Sequence, residues 1–130
     1  MKPVLLALMF LSEEHIAQMA QTFEVIYAPD APQAATAIAQ HGSRVRVVLT
    51  IGAVGLSPAQ IDALPALTLI CALGAGYENV AVAHAKARGI VVATGAGTND
   101  DCVADHTWGL LIAAQRRILP LDKACLLYTS

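Results

Sequence analysis

Short apolar runs alternate with amphipathic stretches along most of this sequence, and no other feature limits the possible fold as strongly. An apolar run of about four to eight residues fits a strand buried on both faces, whereas apolar residues three or four apart fit one face of a helix. A chain that alternates strand and helix forms a parallel sheet with right-handed crossovers. The sequence therefore predicts an α/β domain with strands at residues 4–10, 24–28, 45–51, 67–73 and 90–93.

The stretches between these runs begin with residues that are typical of helix N-termini. Ser12 precedes two glutamates, Asp30 precedes a first turn that contains a proline, and Ser57 is followed by Pro58 and Gln60. A serine or aspartate at this position accepts hydrogen bonds from the first free N–H groups, and serine followed by glutamine three residues later forms a capping box. These caps predict helices after the first three strands, and a fourth helix is predicted over residues 80–88.

A long C-terminal helix is predicted over residues 102–119, and its pattern differs from that of the other helices. Residues 98–101 supply a polar cap with two aspartates, and apolar residues then occur on more than one face of the helix. A helix of this kind needs partners on more than one side. The sequence thus predicts that the helix meets another domain or another subunit.

The fourth strand ends in a glycine-rich turn, Gly74-Ala75-Gly76. Open α/β sheets bind ligands at the carboxyl ends of their strands, and glycines there leave the backbone N–H groups unshielded. Consecutive N–H groups can converge on a small anion such as a carboxylate. Two interpretations remain open at this point, an anion-binding nest and a turn that only reverses the chain direction.

Composition and charge exclude several classes of function. Hydrophobic residues make up 56% of the chain and charged residues 14%, which predicts a globular domain with a substantial core. The net charge of −2, without a basic run, argues against nucleic acid or a membrane as partner. The cysteines, Cys71, Cys102 and Cys125, are odd in number and widely spaced, which favours a reducing, cytoplasmic location.

Neither a dinucleotide site nor a metal site is predicted from the residues alone. The turns at Gly74-Ala-Gly-Tyr-Glu-Asn79 and Gly95-Ala-Gly-Thr-Asn-Asp100 both follow strands, but each lacks the third glycine of the dinucleotide fingerprint. Cys102 and His106 lie one helical turn apart, and two ligands are too few for a structural metal.

The order of several short motifs resembles the D-isomer-specific 2-hydroxyacid dehydrogenases, and glyoxylate or hydroxypyruvate reductases in particular. The resemblance covers nearly the whole chain to about Lys123. It is carried by Leu64-Pro-Ala-Leu67, Gly74-Ala-Gly-Tyr-Glu-Asn79, Arg88-Gly-Ile-Val-Val92, Thr98-Asn-Asp-Asp-Cys-Val-Ala-Asp-His106 and Arg116-Arg117.

The resemblance implies a flavodoxin-like open parallel sheet with strand order 2-1-3-4-5. It implies that residues 1–124 are the substrate domain and that Gly74, Ala75 and Gly76 offer backbone N–H groups to the carboxylate of a small 2-oxoacid. Asn99 matches a residue that faces the substrate, and Val103 matches a position near the nicotinamide. Ile51 lies where relatives with phosphorylated substrates carry an arginine, which implies a small or uncharged side group on the substrate.

The same resemblance places the rest of the catalytic machinery outside these residues. It implies NAD or NADP as cofactor, a cofactor domain after this segment, catalytic residues later still, and a homodimer as the full-length form. We therefore expect this chain alone to bind no cofactor and to be an inactive fragment, with residues 125–130 departing from the family pattern. A stand-alone flavodoxin-like binding or signalling domain, and an inert fragment, remain as alternatives.

Overall fold

The computed structural model describes residues 2–128 and divides the chain into two compact units, the first ending at Ala96 and the second beginning at Gly97. The second unit contains helices α5 (Asp100–Gln115) and α6 (Ile118–Tyr128). The first unit contains strands β1 (Val4–Ala7), β2 (Glu24–Tyr27), β3 (Val45–Ile51), β4 (Leu69–Leu73) and β5 (Val91–Thr94), and helices α1 (Glu13–Ala20), α2 (Ala31–His41), α3 (Pro58–Asp62) and α4 (Val82–Ala87).

The strands form one parallel sheet in the order β2-β1-β3-β4-β5. This confirms the predicted flavodoxin-like α/β architecture and strand order. In the pairing of β3 with β4, Ile51 lies beside Leu73, and in the pairing of β4 with β5, Ala72 lies beside Thr94. These three strands therefore end side by side, and the loops that follow them share one edge of the sheet.

One face of the sheet carries the core of the first unit. Leu6, Val48 and Ile70, from three neighbouring strands, are completely buried and belong to one cluster with Ile61 of α3 and Ala85 of α4. Burying an aliphatic side chain of this size contributes about 1.5–3 kcal/mol relative to leaving it exposed. The apolar runs that predicted the strands thus supply the contacts that hold α3 and α4 against them.

The opposite face of the sheet is open over β4 and β5. Strand residues alternate between faces, and the set that points away from the core becomes more exposed toward the β5 edge. Cys71 is half-buried, whereas Leu73 and Val91 are 56% and 61% exposed. Parallel sheets are normally covered on both faces. Within residues 2–96, this part of the sheet therefore has no such cover.

The caps predicted for the first three helices are confirmed, whereas Asn99, the N-cap residue of α5, makes no side-chain capping hydrogen bond. The side chains of Ser12, Asp30 and Ser57 each accept a hydrogen bond from the backbone N–H of the third residue of the helix that follows, α1, α2 and α3 respectively. The capping box of α3 is complete, because the Gln60 side chain also accepts from the Ser57 N–H group at 2.9 Å.

The predicted long C-terminal helix is present as α5, but it ends before Leu119, the predicted last residue. The segment is helical, but α5 ends at Gln115, Arg117 has a positive φ of 52°, and α6 starts at Ile118. Pro120 explains the break, since its ring would clash with the carbonyl of residue 116 in a continuous helix and it has no N–H to donate. Among the described residues, no helix is long and apolar enough to cross a bilayer.

Two strand boundaries differ from the prediction by more than one residue. β1 ends at Ala7 rather than at residue 10, and Phe10 is 80% exposed. Leu8 remains buried and its N–H donates to the Leu49 carbonyl at 2.9 Å, so the apolar run continues one residue past the strand. β4 starts at Leu69 rather than at residue 67, although Leu67 is itself buried.

Candidate functional site

Two loops meet at the carboxyl edge of the sheet in the first unit. We call residues 52–57 the β3 loop and residues 74–81 the β4 loop, because they follow β3 and β4 and lead into α3 and α4. An isolated parallel bridge between Leu56 and Val80 joins them, and the Ala81 N–H donates to the Leu56 carbonyl at 3.0 Å. The two loops therefore form one connected structure rather than two independent turns.

Asn79 is the residue that holds the two loops together. Its side-chain amide donates to the Ala53 carbonyl at 3.0 Å, and its backbone N–H donates to the Gly52 carbonyl at 3.3 Å. Its own carbonyl accepts from the Leu56 N–H at 3.1 Å. One residue of the β4 loop thus makes three hydrogen bonds to the β3 loop, which fixes the backbone of both.

Glycines in the β3 loop permit this close approach. Gly55 has a φ of +70°, and a Cβ there would overlap the Asn79 carbonyl. A Cβ on Gly52 would lie 2.6 Å from the Gly76 carbonyl carbon. Both positions therefore exclude other residues, the first through its backbone conformation as well as its contacts.

The β4 loop presents unused backbone donors. Gly74, with a φ of +93°, follows the last residue of β4, and its carbonyl accepts from the Gly95 N–H at 2.7 Å. Ala75 and Gly76 are exposed, and within residues 2–128 no group accepts a hydrogen bond from their N–H groups. Adjacent free donors at an exposed strand end have the arrangement that binds a small anion.

A shallow hollow lies at the same edge of the sheet. Its volume is about 230 Å³, and its lining includes Leu49, Cys71, Leu73, Gly74 and Thr94. A hollow of this size fits a molecule of a few heavy atoms. The β4 loop contains no lysine or arginine, so the backbone would have to supply the positive potential for an anion.

Strand pairing places Ile51 next to the start of the β4 loop. It ends β3, is half-buried, and pairs with Leu73, which directly precedes Gly74. The structure thus brings together four of the predicted site residues: Gly74, Ala75, Gly76 and Ile51.

The other two predicted residues, Asn99 and Val103, belong to the second unit and lie together at the start of α5. Asn99 occupies the N-cap position, where its side chain makes no capping hydrogen bond. The Val103 N–H donates to the Asn99 carbonyl at 3.0 Å, and the Val103 side chain is 56% exposed. The side chain of Asn99 therefore makes no capping contact, and that of Val103 remains largely exposed.

One cluster of titratable groups in the first unit has a structural role. Asp62 joins α3 to α4, because its carboxylate contacts His84 Nε2 at 2.8 Å and Arg88 Nη1 at 3.4 Å. The hydrogen bond from His84 and the nearby positive charges lower the pKa of Asp62, against a smaller opposing effect of desolvation. Burial raises the pKa of the Cys71 thiol, which makes it a weaker nucleophile.

No set of three or more His, Cys, Asp or Glu residues within residues 2–128 is grouped so that it could hold a metal ion.

Sequence reasoning did not single out Gly52, Asn79 or the position of the Glu78 side chain. A signal was available, because Gly52 and Gly55 end one strand and Gly74 and Gly76 end its neighbour in the sheet. Paired glycines at adjacent strand ends indicate backbones that approach each other closely. The hydrogen bonds of Asn79, in contrast, depend on a contact 26 residues away in sequence that no local pattern reports.

The sequence matches the family model for the D-isomer specific 2-hydroxyacid dehydrogenase catalytic domain over residues 5–129. Among curated proteins, it is 25% identical over 124 residues to a glyoxylate reductase of Korarchaeum cryptofilum. That alignment covers 95% of this chain and 37% of the relative. It is also 31% identical over 84 residues to a glyoxylate/hydroxypyruvate reductase of Arabidopsis thaliana, covering 65% of this chain and 26% of the relative.

Solved structures give the same result. A 2-hydroxyacid dehydrogenase from Ketogulonicigenium vulgare superposes with a TM-score of 0.84 at 31% identity, over 93% of this chain and 38% of that one. The NADPH-dependent glyoxylate/hydroxypyruvate reductase of Sinorhizobium meliloti, in complex with NADP and malonate, superposes with a TM-score of 0.74 at 28% identity, over 87% and 34%. The chain spans little more than a third of the length of these relatives. With its fold and its family model in agreement, the chain belongs to the D-isomer specific 2-hydroxyacid dehydrogenases and corresponds to their catalytic domain.

Proposed function

We propose that residues 1–124 are the substrate-binding domain of an NAD(P)-dependent D-2-hydroxyacid dehydrogenase, a cytoplasmic oxidoreductase that reduces glyoxylate or hydroxypyruvate. The observation that carries the proposal is the pair of adjacent, exposed N–H groups of Ala75 and Gly76. They lie at the carboxyl end of β4, at the edge where open parallel sheets bind ligands. In this role they hold the carboxylate that all 2-oxoacids share.

Backbone donors suit this task for a physical reason. They do not titrate and are part of the loop backbone, so they bind a carboxylate at any pH without the ordering of a long flexible side chain. The hydrogen bonds of Asn79 hold the loop in place before the substrate arrives, which reduces the entropy lost on binding. The chain itself thus contributes binding and orientation to the reaction.

Ile51 and Asn99 are proposed as further substrate contacts. Ile51 is apolar and adjacent to the β4 loop, so it disfavours a phosphorylated substrate, which would need a cation at this position. The free side chain of Asn99 offers an amide for a substrate oxygen. Curated relatives named glyoxylate reductase and glyoxylate/hydroxypyruvate reductase support a small substrate.

NAD or NADP is the proposed cofactor of the complete protein. When bound, its nicotinamide would supply the hydride, and Val103 would lie near it. The residues of this chain do not fit a pyrophosphate site. Both Gly-x-Gly turns lack the third glycine, and the N–H of Gly95, a donor that a pyrophosphate would use, already donates to the Gly74 carbonyl. We therefore propose that cofactor binding and proton transfer lie outside these residues, and that a homodimer is the working form.

The proposal is tested by titrating the nitrogen-15-labelled chain with glycolate while its amide signals are followed by NMR. We expect the largest shift changes at Ala75 and Gly76, in the millimolar range. Glycolamide, which replaces the carboxylate by a neutral amide, is the matched ligand and should leave these signals in place.

Gly76→Val is the matched variant, and the response of the Ala75 amide to glycolate should be lost in it. The chain also has a cationic hollow lined by Lys2, Arg44 and Arg46 at the other end of the sheet. Shifts centred on that hollow, or no shifts at Ala75 and Gly76, would contradict the proposed carboxylate site.

A further inference from the structure

We propose that Glu78 selects the side group of the substrate. It favours a 2-oxoacid that carries a hydroxyl on the carbon next to the carbonyl, and it disfavours one that carries a second carboxylate. The proposal rests on the carboxylate-binding function of Ala75 and Gly76 proposed above. It goes further because it names a residue that distinguishes among the possible small substrates.

The position of the Glu78 side chain is the first observation. A Cβ built on Gly76 would lie 2.7 Å from the nearer carboxylate oxygen of Glu78, and a Cβ on Gly52 would overlap the same oxygen. The carboxylate therefore folds back over the two loops and occupies space that only glycines leave open. It lies beside the donors that are proposed to hold the substrate.

The second observation is that this carboxylate has no internal partner. Within residues 2–128 no hydrogen bond or ion pair involves the Glu78 side chain, although other exposed acids such as Glu24 and Asp62 are paired with arginines. It is exposed and keeps its full capacity to accept hydrogen bonds.

The third observation is the rigidity of the backbone on either side. Asn79, the next residue, is fixed by its three hydrogen bonds to the β3 loop, and Val80 N–H donates to the Tyr77 carbonyl at 2.9 Å. The Cα of Glu78 is therefore held in place, and its side chain starts from a defined point. A hydroxyl on C3, the carbon two bonds from the bound carboxyl carbon, would donate to Glu78, whereas a second carboxylate would be repelled.

Three D-2-hydroxy acids that differ only in the side group provide the test. D-glycerate carries a hydroxymethyl group, D-lactate a methyl group and D-malate a carboxymethyl group. Their dissociation constants are measured on the labelled chain from the amide shifts of Ala75 and Gly76. We expect glycerate to bind about fivefold more tightly than lactate, the size of one net hydrogen bond. We expect malate to bind about fivefold more weakly than lactate, because of screened charge repulsion.

Two variants separate the two effects. Glu78→Gln removes the charge but keeps an amide oxygen, so malate should approach lactate in affinity while glycerate keeps part of its advantage. Glu78→Ala removes both the charge and the acceptor oxygen, so all three ligands should bind with similar affinity. Glu14→Gln removes the same charge from an exposed position on α1, and the order of the ligands should remain that of the wild type.

The outcomes distinguish the two proposals. If the ligands shift Ala75 and Gly76 but their relative affinities are the same in the wild type and both Glu78 variants, the selection by Glu78 is wrong and the carboxylate site stands. If no ligand shifts these amides in the wild type, both proposals are overturned.

Discussion

The side-chain amide of Asn79 donates a hydrogen bond to the backbone carbonyl of Ala53, 3.0 Å away, and this contact joins the β4 loop to the β3 loop. The two residues are 26 positions apart in sequence. The loop that carries Ala75 and Gly76 therefore depends on the neighbouring loop for its shape.

Replacing Asn79 tests this dependence. Asn79→Ala removes one hydrogen bond to a carbonyl, and we expect a loss of about 1 kcal/mol in the free energy of unfolding, measured in urea. Asn79→Asp keeps the shape of the side chain but places an acceptor against the Ala53 carbonyl, so it should be at least as destabilising. Faster hydrogen exchange at the amides of residues 52–56 should accompany both. An Asn79→Asp protein as stable as the wild type would show that the contact does not hold the loops.

Gly76→Val should impair substrate binding in an active enzyme. The test uses a chimera in which this chain replaces the matching 38% of the Ketogulonicigenium vulgare dehydrogenase. The valine would crowd the approaching carboxylate, and losing one charge-assisted hydrogen bond of about 1.5–3 kcal/mol should lower kcat/KM for glyoxylate roughly tenfold to hundredfold. The KM for the cofactor should change little. Ala75→Ser, which keeps both N–H groups, is the control, and equal losses in both variants would move the carboxylate site elsewhere.

The 130-residue chain alone should show no NADH- or NADPH-dependent reduction of glyoxylate or hydroxypyruvate above background. Its residues supply substrate contacts but no pyrophosphate site and no proposed proton donor. Absorbance at the nicotinamide band gives the rate directly, and the chimera serves as the positive control. Turnover by the chain alone would disprove the proposed division of roles.

The Asp62 carboxylate should make stability depend on pH. Hydrogen bonding to His84 lowers the pKa of Asp62 in the folded state, so its contribution is present above the ordinary carboxyl pKa and is lost as the pH falls through the lowered value. We expect Asp62→Asn to be less stable than the wild type near neutral pH and the two to converge in acid. Asp122→Asn controls for net charge, and a gap between Asp62→Asn and wild type that persists in strong acid would contradict this prediction.

The helices of the second unit should promote self-association. Trp108 on α5 is 63% exposed, and Leu119, Leu121 and Leu127 of α6 are 60–79% exposed. Trp108 is the only tryptophan in the chain, so its fluorescence reports this surface directly. A blue shift with increasing concentration is expected, and Leu121→Glu should weaken it. The prediction would be contradicted by emission typical of exposed indole at all concentrations, together with no binding of a dye that fluoresces on apolar surfaces.

Helix caps and apolar runs predicted the fold well, because each depends only on residues that are close together in the sequence. The capping box at Ser57 and the apolar run of β3 depend on spacings of a few residues, and both predictions were correct. The glycine pair at Gly74 and Gly76 likewise indicated the exposed loop. The break before Ile118 was also encoded locally, by Pro120, but the apolar pattern on both sides concealed it.

Contacts between distant segments could not be predicted in the same way. The Asp62–His84 pair joins two helices through a 22-residue separation, and the folded position of Glu78 depends on the β3 loop as well as on its own. These features arise from the register of β3 with β4, which places the two loops side by side. A single sequence reports the strands but not which side chains their pairing brings together.

The left-handed backbone of Gly55, packed against the Asn79 carbonyl, affects how natural variation in this gene should be interpreted. Gly55 supplies no group that a substrate could contact, so a coding change there would be dismissed as peripheral if variants were ranked by distance from the reacting atoms. Its consequence would instead be misassembly of the two loops and rapid degradation of the protein. A strain with such an allele would show reduced protein abundance rather than altered substrate binding.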